Sequence, residues 1–252
     1  MEHKTTSTFV AHEPCSKCGS KDNLARYSDG HGYCYGCLHY EHPTDEKEGM
    51  SLVGERQQRG YEMTGIVAAI PELRLSKATT SLYGVTVEYD SVGIITKHHY
   101  PYVDKDTNEA TGTKVRVCDS KQFYATGGFS NAGLFGQHKF KEGGRYITIT
   151  EGEKDCLAVS EMFDNKWPVV SIRSGASGAA KDIKENLEYL ETFENIVICF
   201  DNDKAGQDAA NSVLDLFTPN KAKNVLLPMK DAAEMLVSNK ISEFVKEWWN
   251  AK

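Results

Sequence analysis

Long apolar runs are missing from this sequence. No stretch approaches the roughly 20 residues needed to cross a bilayer. The opening MEHKTTSTFVAHEPC lacks the apolar core of a signal peptide. A cytosolic protein without membrane association is expected. A basic excess is also missing. The chain carries 29 Lys and Arg against 36 Asp and Glu, a net charge of -7, which excludes a strong, salt-driven clamp on DNA. The cysteine count is seven, and an odd number in a cytosol-like chain argues against a disulfide framework. Internal repeats and low-complexity segments are absent. Residues 174–181 come near a phosphate-binding P-loop but fail it. Ala180 stands where the second Gly belongs, and Asp182 where Ser or Thr belongs. What remains there is a loop of small residues leading into a helix, able to approach a phosphate or to close as a tight turn.

The 252 residues allow one large domain, or a small and a medium one. Hydrophobic residues make up 40% and charged residues 26%, as in ordinary globular proteins. The acid excess is uneven: residues 146–252 hold 12 Lys and Arg against 18 Asp and Glu. An acidic domain can still meet phosphates through bound cations, which reverse the local field.

Four regions follow from composition: a small domain at 1–42, a polar linker at 43–60, a mixed subdomain at 61–145 and an α/β subdomain at 146–252. In the mixed part we expect a short helix at 64–69, strands at 91–96 and 98–103, a turn at 104–108 and a strand at 113–118. From residue 146 strands and helices alternate. Strands are expected at 146–150, 169–172, 196–200 and 224–227, and helices at 154–163, 180–193, 205–216 and 232–249. Short apolar strands alternating with helices predict a mainly parallel, Rossmann-like sheet covered on both faces.

Cys15 and Cys18, then Cys34 and Cys37, form two C-x-x-C knuckles separated by 15 residues. This spacing is a strong zinc signal. Four thiolates close a tetrahedron around structural Zn2+ and leave no open position for chemistry. The metal replaces a core that residues 12–40, poor in aliphatic side chains, cannot supply. His12, His31, His39 and His42 are then unnecessary as ligands and are expected at the surface. Cys118, Cys156 and Cys199 read as small buried thiols. Between the knuckles, Ser28-Asp-Gly-His-Gly-Tyr33 is polar and aromatic. It suits bases of a single strand, or forms a plain turn with a solvated His.

Two acidic motifs follow predicted strands: Glu151-Gly-Glu-Lys-Asp155 and Asp201-Asn-Asp203. Ligands of such sheets bind beyond the carboxyl ends of the strands. Glu151, Asp201 and Asp203 would therefore share one edge and repel one another unless a hard divalent cation sits among them. Mg2+ suits oxygen ligands and leaves positions for phosphates. A pair of ions can activate a hydroxyl and stabilise a leaving pyrophosphate. The simpler alternative is that Asp203 caps a helix and that Glu153 and Asp155 lie on a solvated first turn. Lys114 and Arg116 share one strand face, and Lys121 follows. They form either a solvated face or a grip on phosphates.

A four-cysteine ribbon followed by EGE and DND motifs on an α/β sheet resembles the Toprim primases, closest to the primase half of the bacteriophage T-seven type of primase–helicase. The likeness runs through Pro14-Cys-Ser-Lys-Cys-Gly19, Ser28-Asp-Gly-His31, Lys114-Val-Arg116, Leu134-Phe-Gly136, Thr150-Glu-Gly-Glu153, Pro168-Val-Val-Ser171, Phe200-Asp-Asn-Asp203, Lys204-Ala-Gly206 and Lys230-Asp-Ala232. It implies a DNA primase, a DNA-directed RNA polymerase making short RNA primers from ribonucleoside triphosphates on single-stranded DNA. It implies template contacts at Asp29 and His31, and nucleotide or primer contacts at Lys114, Arg116 and Lys121. Spacing within Val117-Cys-Asp-Ser120 departs from the family's at Lys121. Glu151, Asp201, Asp203 and Asp231 are implied as Mg2+ ligands, with Mn2+ as a substitute. Lys114 is implied in catalysis. A replicative helicase and a DNA polymerase are the implied partners, in the host cytoplasm for a phage protein.

The family's representative continues into a P-loop helicase, whereas this sequence ends at Lys252 without that motif. Both an excised primase fragment and a stand-alone primase fit. Two other readings use the same parts. One is a RecR-like recombination mediator, which places a helical DNA-binding element before its finger. The other is a Toprim nuclease acting at the same metal site. A topoisomerase would need a further domain carrying a tyrosine nucleophile.

Overall fold

The computed structural model describes residues 7–37, 39–41 and 64–251. The expected linker and His42 lie outside the described residues. The chain divides into two compact units, Met1–Gln58 and Arg59–Lys252.

In the first unit four short strands pair antiparallel in chain order: β1 (Phe9–Glu13), β2 (Leu24–Tyr27), β3 (Gly32–Cys34) and β4 (Tyr40–Glu41). One knuckle joins β1 to β2 and the other joins β3 to β4. The first turn closes because Gly19, at φ +70°, brings its N–H to 2.9 Å from the Cys15 carbonyl. The apolar cluster buried here comprises Cys15, Leu24 and Cys34. So small a core cannot hold a domain without a cross-link.

The second unit contains two four-stranded sheets. An antiparallel meander runs β5 (Thr86–Tyr89), β6 (Ile95–Val103), β7 (Ala110–Val117) and β8 (Phe123–Gly127). Helix α1 (Lys77–Tyr83) precedes it, capped by the Ser76 side chain and ended by Gly84 in the left-handed conformation. A parallel sheet follows. It consists of β9 (Gly144–Thr150), β10 (Val169–Ser171), β11 (Phe193–Cys199) and β12 (Ala222–Asn224), in the spatial order β10-β9-β11-β12. The crossovers are α2 (Glu153–Met162), the pair α3 (Ala179–Glu185) and α4 (Leu187–Glu191), and α5 (Lys204–Leu214). Helices α6 (Ala232–Val237) and α7 (Ile241–Trp249) close the chain.

Alternation along the strands builds two cores. Ile147, Ile149, Ile196 and Ile198 bury with α3, α4 and α5 on one face. Val197 and Cys199 bury with α2, α6 and α7 on the other, where Tyr83, Tyr100, Tyr102 and Phe135 of the antiparallel part join them. The two sheets are also tied by backbone. Phe135 exchanges hydrogen bonds of 2.9 and 3.1 Å with Ser171, and the Tyr83 hydroxyl donates to the Val169 carbonyl at 3.0 Å.

Several expectations change. The helix at 64–69 does not form. Gly65 takes φ +84°, and Ile66 pairs through its backbone with Val87, so the segment joins the sheet edge. The strands at 91–96 and 98–103 become one, β6. Residues 91–94 instead turn around Asp90, whose Oδ1 accepts from the N–H groups of Val92 and Ile94 at 3.0 and 2.8 Å. The helix at 180–193 breaks at Asn186, and its last residue, Phe193, starts β11. The closing helices expected within 232–249 do form, as α6 and α7 separated by residues 238–240. Strand β8 escapes sequence reading because all five residues are exposed and carry no apolar alternation. Among the described residues no helix is long and apolar enough to cross a membrane.

Trp248 locks α7 onto the sheet. Its indole N–H donates to the Thr148 hydroxyl at 3.0 Å, with both groups buried, and its ring packs against Phe163 and Tyr146. Trp248→Ala is expected to cost about 3–5 kcal/mol. Trp248→Phe, which keeps most of the packing and loses the hydrogen bond, is expected to cost about 1–2 kcal/mol. Urea denaturation followed by circular dichroism measures both.

Candidate metal centres and active cleft

In the ribbon the four cysteine sulfurs lie within 4.8 Å of one another, with Cys15–Cys37 and Cys18–Cys34 each at 3.7 Å. Sulfurs bound at about 2.3 Å to one tetrahedral zinc ion would be about 3.8 Å apart. The set fits zinc and leaves no coordination position over.

Asp29 and His31 occupy the turn between β2 and β3. The His31 Nδ1 lies 2.5 Å from Asp29 Oδ1, which fixes the ring's tautomer and direction. The imidazole stacks on Tyr27 at 4.3 Å and 8°, with Tyr40 at 5.3 Å and 22° on the same ring. The histidine is thus held in an aromatic stack rather than solvated. His12 is exposed and His39 half-buried.

In the second unit β9 and β11 pair in parallel with Thr150 opposite Cys199. The residues that follow, Glu151 and Asp201, emerge at one edge. Carboxylate oxygens of Asp155, Asp201 and Asp231 converge there within 4.8 Å. Asp155 comes from the first turn of α2. Its Oδ1 accepts from the Ala233 N–H at 3.0 Å, and Asp231 caps α6 by accepting from the Glu234 N–H at 2.7 Å. Glu151 borders the same cleft of about 220 Å³, together with Lys114, Glu153, Lys154, Asp155 and Asp201. Its Oε1 accepts from the Ala176 N–H at 3.2 Å, while its Oε2 is buried with no hydrogen-bond partner. A buried carboxylate oxygen without a partner is costly. It fits a site completed by a divalent cation.

The convergence differs from the expected set. Asp201 and Asp231 take part. Asp155 does not lie on a solvated turn, the simpler alternative for it: it is 3% exposed and completes the trio, and Glu153 is 2% exposed. Asp203 is exposed and caps α5, its Oδ1 accepting from the Gly206 N–H at 2.9 Å. Gly206 is required nearby: a Cβ there would lie 2.3 Å from the Asp201 carbonyl oxygen. Folding decided the burial of Asp155, because helical spacing says nothing about whether the first turn faces water. Its position four residues after Glu151, on the same strand-to-helix turn, was the available signal.

Lys114 projects from β7 into this cleft, donating to Glu153 Oε1 at 2.8 Å and to the Arg173 carbonyl at 3.1 Å. Glu153 also accepts from the Tyr102 hydroxyl at 2.5 Å. Arg116 is half-buried and does not line the cleft. Its charge adds to burial in pushing the His98 imidazole down to about 4. Lys121 sits exposed in the β7–β8 turn at φ +56°. The small-residue loop at 174–181 closes as a turn. Asp182 accepts from the N–H groups of Arg173 and Ser174 at 2.7 and 2.9 Å, and Glu151 takes that of Ala176. Cys156 and Cys199 are buried thiols as expected, whereas Cys118 is half-buried.

A Toprim-like family model matches residues 148–236, which contain all of this carboxylate cluster. The DNA helicase/primase of Enterobacteria phage T3 is 33% identical across the whole chain, which spans 45% of that protein's length. The crystal structure of the primase fragment of bacteriophage T7 primase-helicase superposes with a TM-score of 0.67 at 33% identity. That match covers 95% of this chain and 99% of the fragment. This chain belongs to the T7-type Toprim primases. A second member, the primase domain bound to an RNA/DNA hybrid beside T7 lagging-strand DNA polymerase, matches with a TM-score of 0.66 at 36% identity. It covers 74% of this chain and 93% of that one. The T7-type primase fold accounts for both the ribbon and the paired sheets.

The buried carboxyls carry a pH dependence. Burial, with the charges of Glu151 and Asp231, pushes Asp201 up to about 6. Burial, with those of Asp231 and Asp201 and against the pull of Lys154, pushes Asp155 up to about 7. Both values exceed the ordinary 3.8. Their contribution to stability is therefore complete below about pH 4 and is lost as pH rises through 6 to 7. A divalent cation held by these carboxylates would replace the lost protons. Mg2+ added to zinc-loaded but otherwise metal-free protein is expected to raise Tm more at about pH 8 than at about pH 5. An equal rise in thermal-shift measurements at both would place Mg2+ elsewhere.

Proposed function

We propose that this chain is a DNA primase that synthesises short RNA primers from ribonucleoside triphosphates on a single-stranded DNA template during phage replication. One observation carries the reading. Carboxylates at the ends of two adjacent parallel strands and a lysine from a second sheet face one cleft, in a chain that also bears a four-cysteine ribbon.

The reaction joins the 3′-oxygen of one ribonucleotide to the α-phosphorus of the next, and pyrophosphate leaves. Asp155, Asp201 and Asp231, with Glu151 beside them, are the residues that would hold catalytic Mg2+, or Mn2+ in its place. Bound there, such ions supply charge for the attacking and leaving oxygens. Lys114 places an ammonium at the cleft, where it binds phosphate oxygens. Glu153, itself held by Tyr102, orients that ammonium and keeps it from swinging into solvent. Asp203 acts through the backbone, by fixing the start of α5 behind Asp201. Lys114 also borders a second cleft of about 360 Å³ that includes Lys181, a path suited to the template or the primer. Arg116 and Lys121 extend the basic side of β7 toward the same strands.

The ribbon reads the template. Cys15, Cys18, Cys34 and Cys37 would hold Zn2+ and staple the two knuckles together, and His31, aimed by Asp29 and stacked on Tyr27, offers an edge to a base. A replicative helicase and a DNA polymerase are the partners such a chain serves in the host cytoplasm. The T7 domain bound beside a DNA polymerase and an RNA/DNA hybrid supports this reading.

Incubation with single-stranded DNA templates covering all triplets, labelled ribonucleotides and Mg2+ is expected to yield short RNA. Asp201→Asn is expected to lower that yield by about 100-fold or more, the scale of losing a charged stabiliser of the transition state. Absence of RNA on every template would overturn the reading.

The ribbon separates from the chemistry. His31→Ala is expected to lose triplet-dependent initiation while still extending a supplied, annealed RNA primer. Cys34→Ser is expected to do the same and in addition to lose bound zinc, read by elemental analysis. Loss of extension along with initiation in both variants would place the ribbon in catalysis instead.

A further inference from the structure

Glu153 and Asp155 are pinned at the start of α2, the one by Tyr102 and Lys114, the other by the Ala233 N–H. Lys154 lies between them, so its side chain has little choice of direction. Its Nζ sits 2.5 Å from Asp231 Oδ2 and 3.7 Å from Asp155 Oδ1. It therefore touches two of the three carboxylates that converge. The side chain is 31% exposed, so the ammonium lies within the cleft while its flexible stem retains a way out to solvent.

Three carboxylates converging in a largely buried place repel one another unless a positive charge is among them. Here the chain supplies that charge itself. We propose that Lys154 is a built-in counter-ion of the metal centre, competing with a divalent cation for Asp155 and Asp231 and thereby setting how much Mg2+ the site requires. The inference rests on reading the acid cluster as a metal site. It has two physical sides. Without a divalent ion, the ammonium holds the carboxylates in their converged positions. When such an ion arrives, the same ammonium occupies oxygens the ion needs and repels it across a few ångströms. Entry of the ion then requires Lys154 to swing outward. The centre stays ordered between turnovers, and divalent binding is weakened in exchange.

The test uses the whole chain with its ribbon zinc-loaded, in buffer free of other divalent cations. Mn2+ is the probe, and its binding is followed by loss of the free-ion electron paramagnetic resonance signal. Asp201→Asn marks which binding belongs to the cluster. Lys154→Met and Lys154→Gln are expected to bind Asp201-dependent Mn2+ on the order of tenfold more tightly than the parent. Their metal-free Tm is expected to fall below the parent's and to recover with Mn2+. If Lys154→Met does not fold, Lys154→Gln decides, since it keeps a hydrogen-bond donor for Asp231 without the charge. Unchanged or weaker Mn2+ binding in a folded variant, with the parent binding normally, overturns the inference alone. Absence of Asp201-dependent binding in the parent and in both variants overturns the metal-site reading and the inference with it. Binding in the variants but not in the parent supports both.

Discussion

Charge repulsion among carboxylates organises the larger unit of this protein. Asp155, Asp201 and Asp231 approach within 4.8 Å, and Glu151 borders the same cleft with a buried, unpartnered oxygen. Like charges at such separations separate unless the scaffold opposes them. Several restraints do so here. Parallel pairing of β9 with β11 delivers two strand ends to one edge. The N–H groups of Ala233 and Ala176 donate to Asp155 and Glu151 and offset part of the negative charge. Lys154 and Lys114 supply cations from α2 and from the second sheet. The helices packed on both faces keep that sheet from opening under the strain.

The two halves of the molecule are stabilised by different physics. The second unit buries aliphatic and aromatic side chains on both faces of its parallel sheet, so its carboxylates can be tolerated at one edge. The ribbon buries Cys15, Leu24 and Cys34. Its four sulfurs converge in a set that fits one shared ion, and the Arg26 guanidinium bridging Glu13 and Glu41 adds a partly exposed and weaker tie. A domain held by one small centre can present its surface rigidly on very little chain. The His31 ring is ordered in the same way, set between Tyr27 and Tyr40 and held by the Asp29 carboxylate.

Much of this was legible beforehand, for identifiable reasons. The knuckles are spaced locally, so the convergence of the four cysteines could be read directly from the chain. Strand β9 alternates β-branched and apolar residues, and the acidic motif follows its last residue, so the edge carrying Glu151 and Asp201 was foreseeable. Asp231 came only through family resemblance, since its loop has no local signature. Asp155 was missed because burial of a helix's first turn depends on what packs over it, here α6. The helix expected at 64–69 failed for a similar reason. Ile66 found a partner in Val87, more than twenty positions on, and the long-range bridge outweighed a weak local preference.

The sequence by itself determined the fold class, the four-cysteine cluster and the strand ends that carry Glu151 and Asp201. These depend on periodicity and spacing, which act over a few residues and survive without a partner. Tertiary structure alone decided which carboxylates meet, that Asp203 caps a helix outside the converging trio, and that Lys154 turns inward to Asp231. Those outcomes depend on side chains brought together from three separate segments. Their charges interact over a few ångströms of space whatever their distance along the chain.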